Sequence, residues 1–220
     1  SFSALLGGTG TASGFEELHV AYIPEFHEGN TIDFSNLSGQ GLNLNFNSPD
    51  SLSTVSSGAD TFDFSGFDTI VGTNSNDTIT TGDTDFGFVV DGLGGKDKIE
   101  GGGGNDLIRG GDDVDVLRGD EGNDIIEGQS GADRIFGGAG DDLLFAFDFD
   151  DAADDEASDK IWGGAGDDVI VGGAGDDVVL RGQGGDDVIF GGEGANNRLE
   201  GGGGRDYIVS SGTDDVIIGG

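Results

Sequence analysis

The chain has 220 residues, 44 of them acidic and only 9 basic, for a formal net charge of −35. That balance excludes nucleic acid as a partner, whose phosphates would be repelled, and membrane insertion, since there is neither a basic patch nor a run of 18 apolar residues. With no cysteine, disulfides and thiol chemistry are also absent, and cations remain as the natural partner.

Residues 1 to 53 carry no obvious repeat. Val20 to Ile23 and Thr31 to Phe34 have strand-like composition, and Gly41 to Asn47 alternates, with Leu42, Leu44 and Phe46 on one side and asparagines on the other. Terminal repeats of a solenoid need an atypical cover, so this segment is expected to be an N-terminal β flank or cap. No signal peptide is read at its start, and export would use a signal outside this sequence. From residue 54 a pattern assembles through GADTFDF and GFDTIV to GTNSNDTIT, which places Asp77 sixth and Ile79 eighth. Asp83 to Val90 is degenerate, and GLGGKDKIE restores the register at Asp97.

Gly101 to Phe145 then reads as five consecutive nine-residue units: GGGGNDLIR, GGDDVDVLR, GDEGNDIIE, GQSGADRIF and GGAGDDLLF. The sixth place is Asp in each (Asp106, Asp115, Asp124, Asp133, Asp142), and the eighth is a branched aliphatic (Ile108, Leu117, Ile126, Ile135, Leu144). So short a period marks a repeat fold. Glycines in the first four places permit positive φ, and the last three residues alternate sides as a strand does. Each unit is therefore a turn followed by a strand, and two units make one coil of an all-β, parallel β-roll or β-helix solenoid over residues 54 to 220.

The array breaks at 146 to 158, where AFDFDDAADDEAS carries six acidic residues and two phenylalanines. A solvated loop insertion is expected there, the sharper alternative being an extra cation site or a contact surface on Phe147 and Phe149. Regular units resume around Asp159 and supply Asp168, Asp177, Asp187, Asp206 and Asp215. Arg181 is one residue over the period, and Asn197 stands in a ten-residue unit where Asp is expected. A neutral Asn offers one carbonyl oxygen, so that site is expected to be weak or empty. The sequence stops two places into a further unit, as a piece of a longer polypeptide would.

Stacking the coils at about 4.8 Å lines up aspartates eighteen residues apart, one ladder through Asp97, Asp115 and Asp133, another through Asp106, Asp124 and Asp142. Carboxylates crowded in this way are unfavourable unless something neutralises them. Calcium takes six to eight oxygen ligands and accepts backbone carbonyls, whereas magnesium demands tighter octahedral geometry. Calcium is thus the expected ion, bound at several sites, with folding linked to its binding.

These units identify the family: residues 72 to 220 resemble the RTX repeats of bacterial proteins secreted by the type I pathway. The lead-in segments NTIDFSNL, TFDFSGF and FDTIVGTNSNDTI are similar to those of serralysin-like proteases and large surface proteins. The resemblance implies calcium ligation by Asp77, Asp97, Asp106, Asp115, Asp124, Asp133, Asp142, Asp159, Asp168, Asp177, Asp187, Asp206 and Asp215. It also implies that the carbonyls of Gly102, Gly104, Gly138, Gly140, Gly164, Gly166, Gly173 and Gly175 complete the shells. By the same resemblance the array would cross the secretion channel unfolded and fold outside the bacterium, at its surface or beyond.

No catalytic constellation is expected. His27-Glu28 lacks the second histidine of HExxH, no GxSxG elbow occurs, and Lys96 is followed by Asp97 rather than the Ser or Thr of a phosphate loop. Two functions remain. One is a structural or adhesive module of a surface protein (S-layer, matrix or fibre), with calcium bridging to other copies or to surface polysaccharide. The other is the secretion and folding module of an enzyme or toxin whose active domain lies elsewhere.

Overall fold

The computed structural model describes residues 31–34, 43–45, 53–57, 60–64, 69–82, 85–147, 157–177 and 179–220, by backbone alone in the strands that precede Thr69. Val20 to Ile23 and Phe149 lie outside these residues. Every described element is a strand. Four precede the regular units: β1 (Thr31–Asp33), β2 (Asn43–Asn45), β3 (Ser53–Ser57) and β4 (Asp60–Phe64). Sixteen follow: β5 (Thr69–Val71), β6 (Thr78–Thr80), β7 (Val89–Asp91), β8 (Lys98–Gly103), β9 (Leu107–Asp112), β10 (Val116–Glu121), β11 (Ile125–Ser130), β12 (Arg134–Ala139), β13 (Leu143–Phe145), β14 (Lys160–Ala165), β15 (Val169–Val171), β16 (Val179–Gly184), β17 (Val188–Phe190), β18 (Arg198–Gly203), β19 (Tyr207–Val209) and β20 (Val216–Ile218).

From β5 onward successive strands alternate between two parallel sheets. The odd-numbered strands, with β1 at one end, form a sheet of nine; the even-numbered strands continue through β2 into β3 and β4, making eleven. The eighth-place residues align across coils, as in Leu117↔Ile135 on one sheet and Ile126↔Leu144 on the other. Period-two alternation turns these side chains inward. From Ile70 to Leu199 all fourteen eighth-place residues are fully buried, which makes one thin core of two facing columns of Ile, Leu and Val.

The roll begins earlier than the nonapeptide. Ile32 aligns with Ile70, and Leu44 with Ile79, both in parallel register. By contrast, residues 53–64, of which those from 54 onward are expected from sequence to belong to the roll, pair antiparallel as β2–β3–β4 on the edge of the larger sheet. Antiparallel strands β3 and β4 thus extend this sheet beyond its parallel part.

The insertion is accommodated without loss of register. Strands β12 and β14 pair residues 26 apart, as Arg134↔Lys160, rather than the usual 18, so eight residues are looped out of one coil. Ala146 stays in the coil: it is buried and donates its N–H to Val171 O at 3.0 Å, the bond that Gly172 makes to Phe190 O further along. Phe147 packs on the core and meets Phe145 edge-on at 6.0 Å.

Candidate metal centre

The turns between strands stack into two columns. One precedes the even strands and carries Asp77, Asp97, Asp115, Asp133, Asp159, Asp177, Asn197 and Asp215; the other precedes the odd strands and carries Phe88, Asp106, Asp124, Asp142, Asp168, Asp187 and Asp206. From Asp97 and Asp106 onward, every sixth-place Oδ1 accepts the backbone N–H of the sixth-place residue one coil earlier in its column. In the first column Asp97 N–H donates to Asp115 Oδ1 and Asp115 N–H to Asp133 Oδ1, both at 2.7 Å. In the second, Asp106 N–H donates to Asp124 Oδ1 at 2.8 Å and Asp124 N–H to Asp142 Oδ1 at 2.9 Å. The insertion leaves the chain of bonds intact, with Asp133 N–H reaching Asp159 Oδ1 at 2.6 Å.

The other carboxyl oxygen has a different fate. Oδ2 of Asp97, Asp106, Asp115, Asp124, Asp142, Asp168 and Asp187 is buried with no hydrogen-bond partner. It folds back over the first-place glycine five residues earlier, so closely that a Cβ there would force its neighbours to shift. A Cβ on Gly119 would lie 1.9 Å from Asp124 Oδ2, and one on Gly110 would lie 2.5 Å from Asp115 Oδ2. The same two points lie 2.7 Å from the carbonyl oxygens of Gly137 and Gly128, in the next coil. At the turns of Asp97, Asp106, Asp115, Asp124, Asp142 and Asp168 an unpartnered carboxylate oxygen thus lies beside a glycine carbonyl of the next coil.

Oxygen against oxygen, away from water, is costly for an anion. Burial accordingly pushes the carboxyls of Asp97 and Asp106 up to about 8, those of Asp115, Asp142 and Asp168 to about 7, and that of Asp124 to about 6. The ladder N–H bonds pull the other way, and neighbouring carboxylates add to the rise, as Asp115 does at Asp97. Among the described residues no three Asp, Glu, His or Cys side chains gather into one cluster. The donor set is therefore one carboxylate per turn with backbone carbonyls, all hard oxygen, and it fits calcium rather than a transition metal.

The sequence-derived ligands divide on this geometry. The aspartates from Asp97 to Asp187 occupy the buried ladder positions, while Asp206 and Asp215 are only half-buried at the last coils. Asp77 is buried, but its Oδ2 already accepts the Thr73 N–H at 2.7 Å. Fourth-place glycines Gly104, Gly140, Gly166 and Gly175 lie in the turn itself, and three of them hold φ between 95° and 132°, which glycine alone adopts easily. Second-place carbonyls run along the stack instead: Gly138 O and Gly102 O lie in the inter-strand register, and Gly173 O accepts Glu193 N–H at 3.0 Å. Gly164 belongs to the same row.

Two features escaped the reading of the sequence. First-place glycines are set by the approach of a carboxylate from the same unit, which the run of glycines hides. A second, exposed ladder joins fifth-place residues of one column: Asn123 N–H to Asn105 Oδ1 at 2.9 Å, Asp141 N–H to Asn123 Oδ1 at 3.0 Å, Asp167 N–H to Asp141 Oδ1 at 2.8 Å. The recurrence of Asn or Asp before the sixth-place Asp in alternate units was its signal.

Fold and turns together define a parallel β-roll built to hold calcium along both edges. The model of the RTX calcium-binding nonapeptide repeat matches residues 62–85, 91–126, 109–144, 147–179, 178–196 and 194–220. The chain belongs to this family, and its repeats bind multiple calcium ions. The search of the curated proteins found no match to the sequence.

Proposed function

We propose that this chain is an extracellular structural or adhesive module, without catalytic activity of its own, which folds on meeting calcium and then stiffens or joins a bacterial surface layer. The observation that carries the calcium-dependent half is the row of buried, unpartnered Oδ2 atoms. Their charge destabilises the closed roll until a cation bound only to the folded form offsets it. When bound, calcium supplies positive charge between carboxylate and carbonyl oxygens. The ligands would be the aspartates from Asp97 to Asp187 with glycine carbonyls of the adjoining turns. Ladder bonds to Oδ1 aim each carboxylate, and bare first-place glycines keep room for Oδ2.

Export suits such a device, because repeats of this family are typical of type I secreted bacterial proteins and calcium outside cells is abundant enough to load weak sites. Among the described residues no helix is long and apolar enough to cross a membrane. Support for a joining role comes from the outer face of the nine-stranded sheet. Ile125 and Leu143 are neighbours there, each 38% exposed, with Phe190 and Tyr207 further along the same sheet. Contiguous apolar surface of this kind marks contact sites, and another copy of the chain would cover it.

Adding calcium to the metal-free chain is expected to raise the strand signal in circular dichroism severalfold, and electron microscopy should then reveal sheets or fibres. A spectrum indifferent to chelator would remove the folding role. Monodisperse particles in calcium would remove the assembly role and leave a secretion and folding module.

A further inference from the structure

The coils near the ends of the columns differ from the central ones at the point where the cation is needed. In the coil of Asn197 the side-chain oxygen keeps its ladder bond, accepting Asp177 N–H at 2.6 Å. Its Nδ2 replaces the second carboxyl oxygen of an aspartate, and donates to the carbonyls of Gly191 at 3.2 Å and Gly194 at 3.3 Å. Those are the first- and fourth-place carbonyls of the turn. Two N–H groups therefore satisfy carbonyls of the residue's own turn, where an aspartate would present a second oxygen.

Hydroxyls do the same work at other ends. Thr73, fully buried, places Oγ1 at 3.0 and 3.2 Å from the two oxygens of Asp77 and adds its own N–H. Ser210 stands in a first place that is glycine or, once, Ala146 in the central coils, and its hydroxyl donates to Asp215 Oδ2. Thr81, also fully buried, stands in the first place of the coil that has Phe88 instead of a carboxylate, and its hydroxyl donates to the Gly101 carbonyl. Three of the four column ends carry such a donor; the fourth, at Asp206 over Gly201, does not.

We propose that Thr73, Thr81, Asn197 and Ser210 are cation surrogates, protein donors that close their coils without metal and fix where the calcium rows start and stop. The chemistry is a substitution of neutral hydrogen-bond donors for a divalent ion at carbonyl and carboxylate oxygens of the turns. Coils closed in this way offer a metal-free template at each end, on which the calcium-dependent coils can stack. The inference rests on the reading that the central Oδ2 atoms hold calcium.

The test counts calcium per folded chain at saturation, by equilibrium dialysis and elemental analysis, in wild type, Asn197→Asp and Ser210→Gly. Asn197→Asp restores an anion facing two carbonyls and is expected to bind one ion more than wild type, as is Ser210→Gly, which strips the donor from Asp215. Asn197→Asp should also melt at higher temperature than wild type in calcium and at lower temperature in chelator. Should Asn197→Asp fail to fold, Ser210→Gly decides, because it alters only the half-buried last coil. Folded variants that bind the wild-type number overturn the surrogate role, whereas a wild type that binds no calcium overturns the calcium reading beneath it.

Discussion

Asp124 and Asn197 hold the same place in their coils. Each offers Oδ1 to the backbone N–H one coil earlier, at 2.8 Å for Asp106 N–H and 2.6 Å for Asp177 N–H. Stacking therefore needs only the oxygen that the two side chains share. They differ at the second atom, a buried Oδ2 without a donor in one and an amide nitrogen with two acceptors in the other. The carboxylate thus adds nothing to the ladder that an amide could not supply. It adds an unbalanced charge, and so makes the central coils depend on an ion.

The largest break in that comparison should come from pH in the calcium-depleted protein. Folding raises the central carboxyls from about 3.8 to between about 6 and 8, so the folded form holds more protons than the unfolded one across that interval. Their contribution to stability is fully present below the unfolded value and is lost as pH rises through the folded values. Depleted protein should show more strand by circular dichroism at pH 4 than at pH 9. With calcium present the trend should reverse, because binding needs ionised carboxylates.

Next in size is a pair of core truncations. Ile126 is fully buried, whereas Ile217, its counterpart in the last coil, is 53% exposed. Ile126→Ala should cost about 2–5 kcal/mol in calcium-saturated denaturation, and Ile217→Ala less than about 1 kcal/mol. The smallest effect separates two glycines. Gly119→Ala forces a methyl against Asp124 Oδ2 and the Gly137 carbonyl, for about 1–3 kcal/mol, and should also remove one bound calcium. Gly219→Ala meets nothing within 4 Å and should leave both stability and stoichiometry unchanged.

Much of this was legible in the linear pattern. Ile108, Leu117 and Ile126 announced the core by recurring at nine, and Asp106, Asp115 and Asp124 announced the turns. The antiparallel pairing of residues 53–64 was not legible, because alternating strand composition is the same in a parallel coil and an antiparallel hairpin. Ala146 was hidden at the head of an acidic insertion, although its small side chain takes the first place of a coil. Thr73, Thr81 and Ser210 carry no mark in the linear pattern, since their partners become visible only once the turn closes or the next coil stacks upon it.

What the sequence by itself determined is the period, the inward column and the acidity of the turns, because each of these is a property of a single nine-residue unit. Only the tertiary structure decided which carboxyl oxygen is satisfied and which is left for a cation. Oδ1 is partnered by the backbone of a coil eighteen or more residues away, and Oδ2 is confined by a glycine that its own turn brings back beneath it.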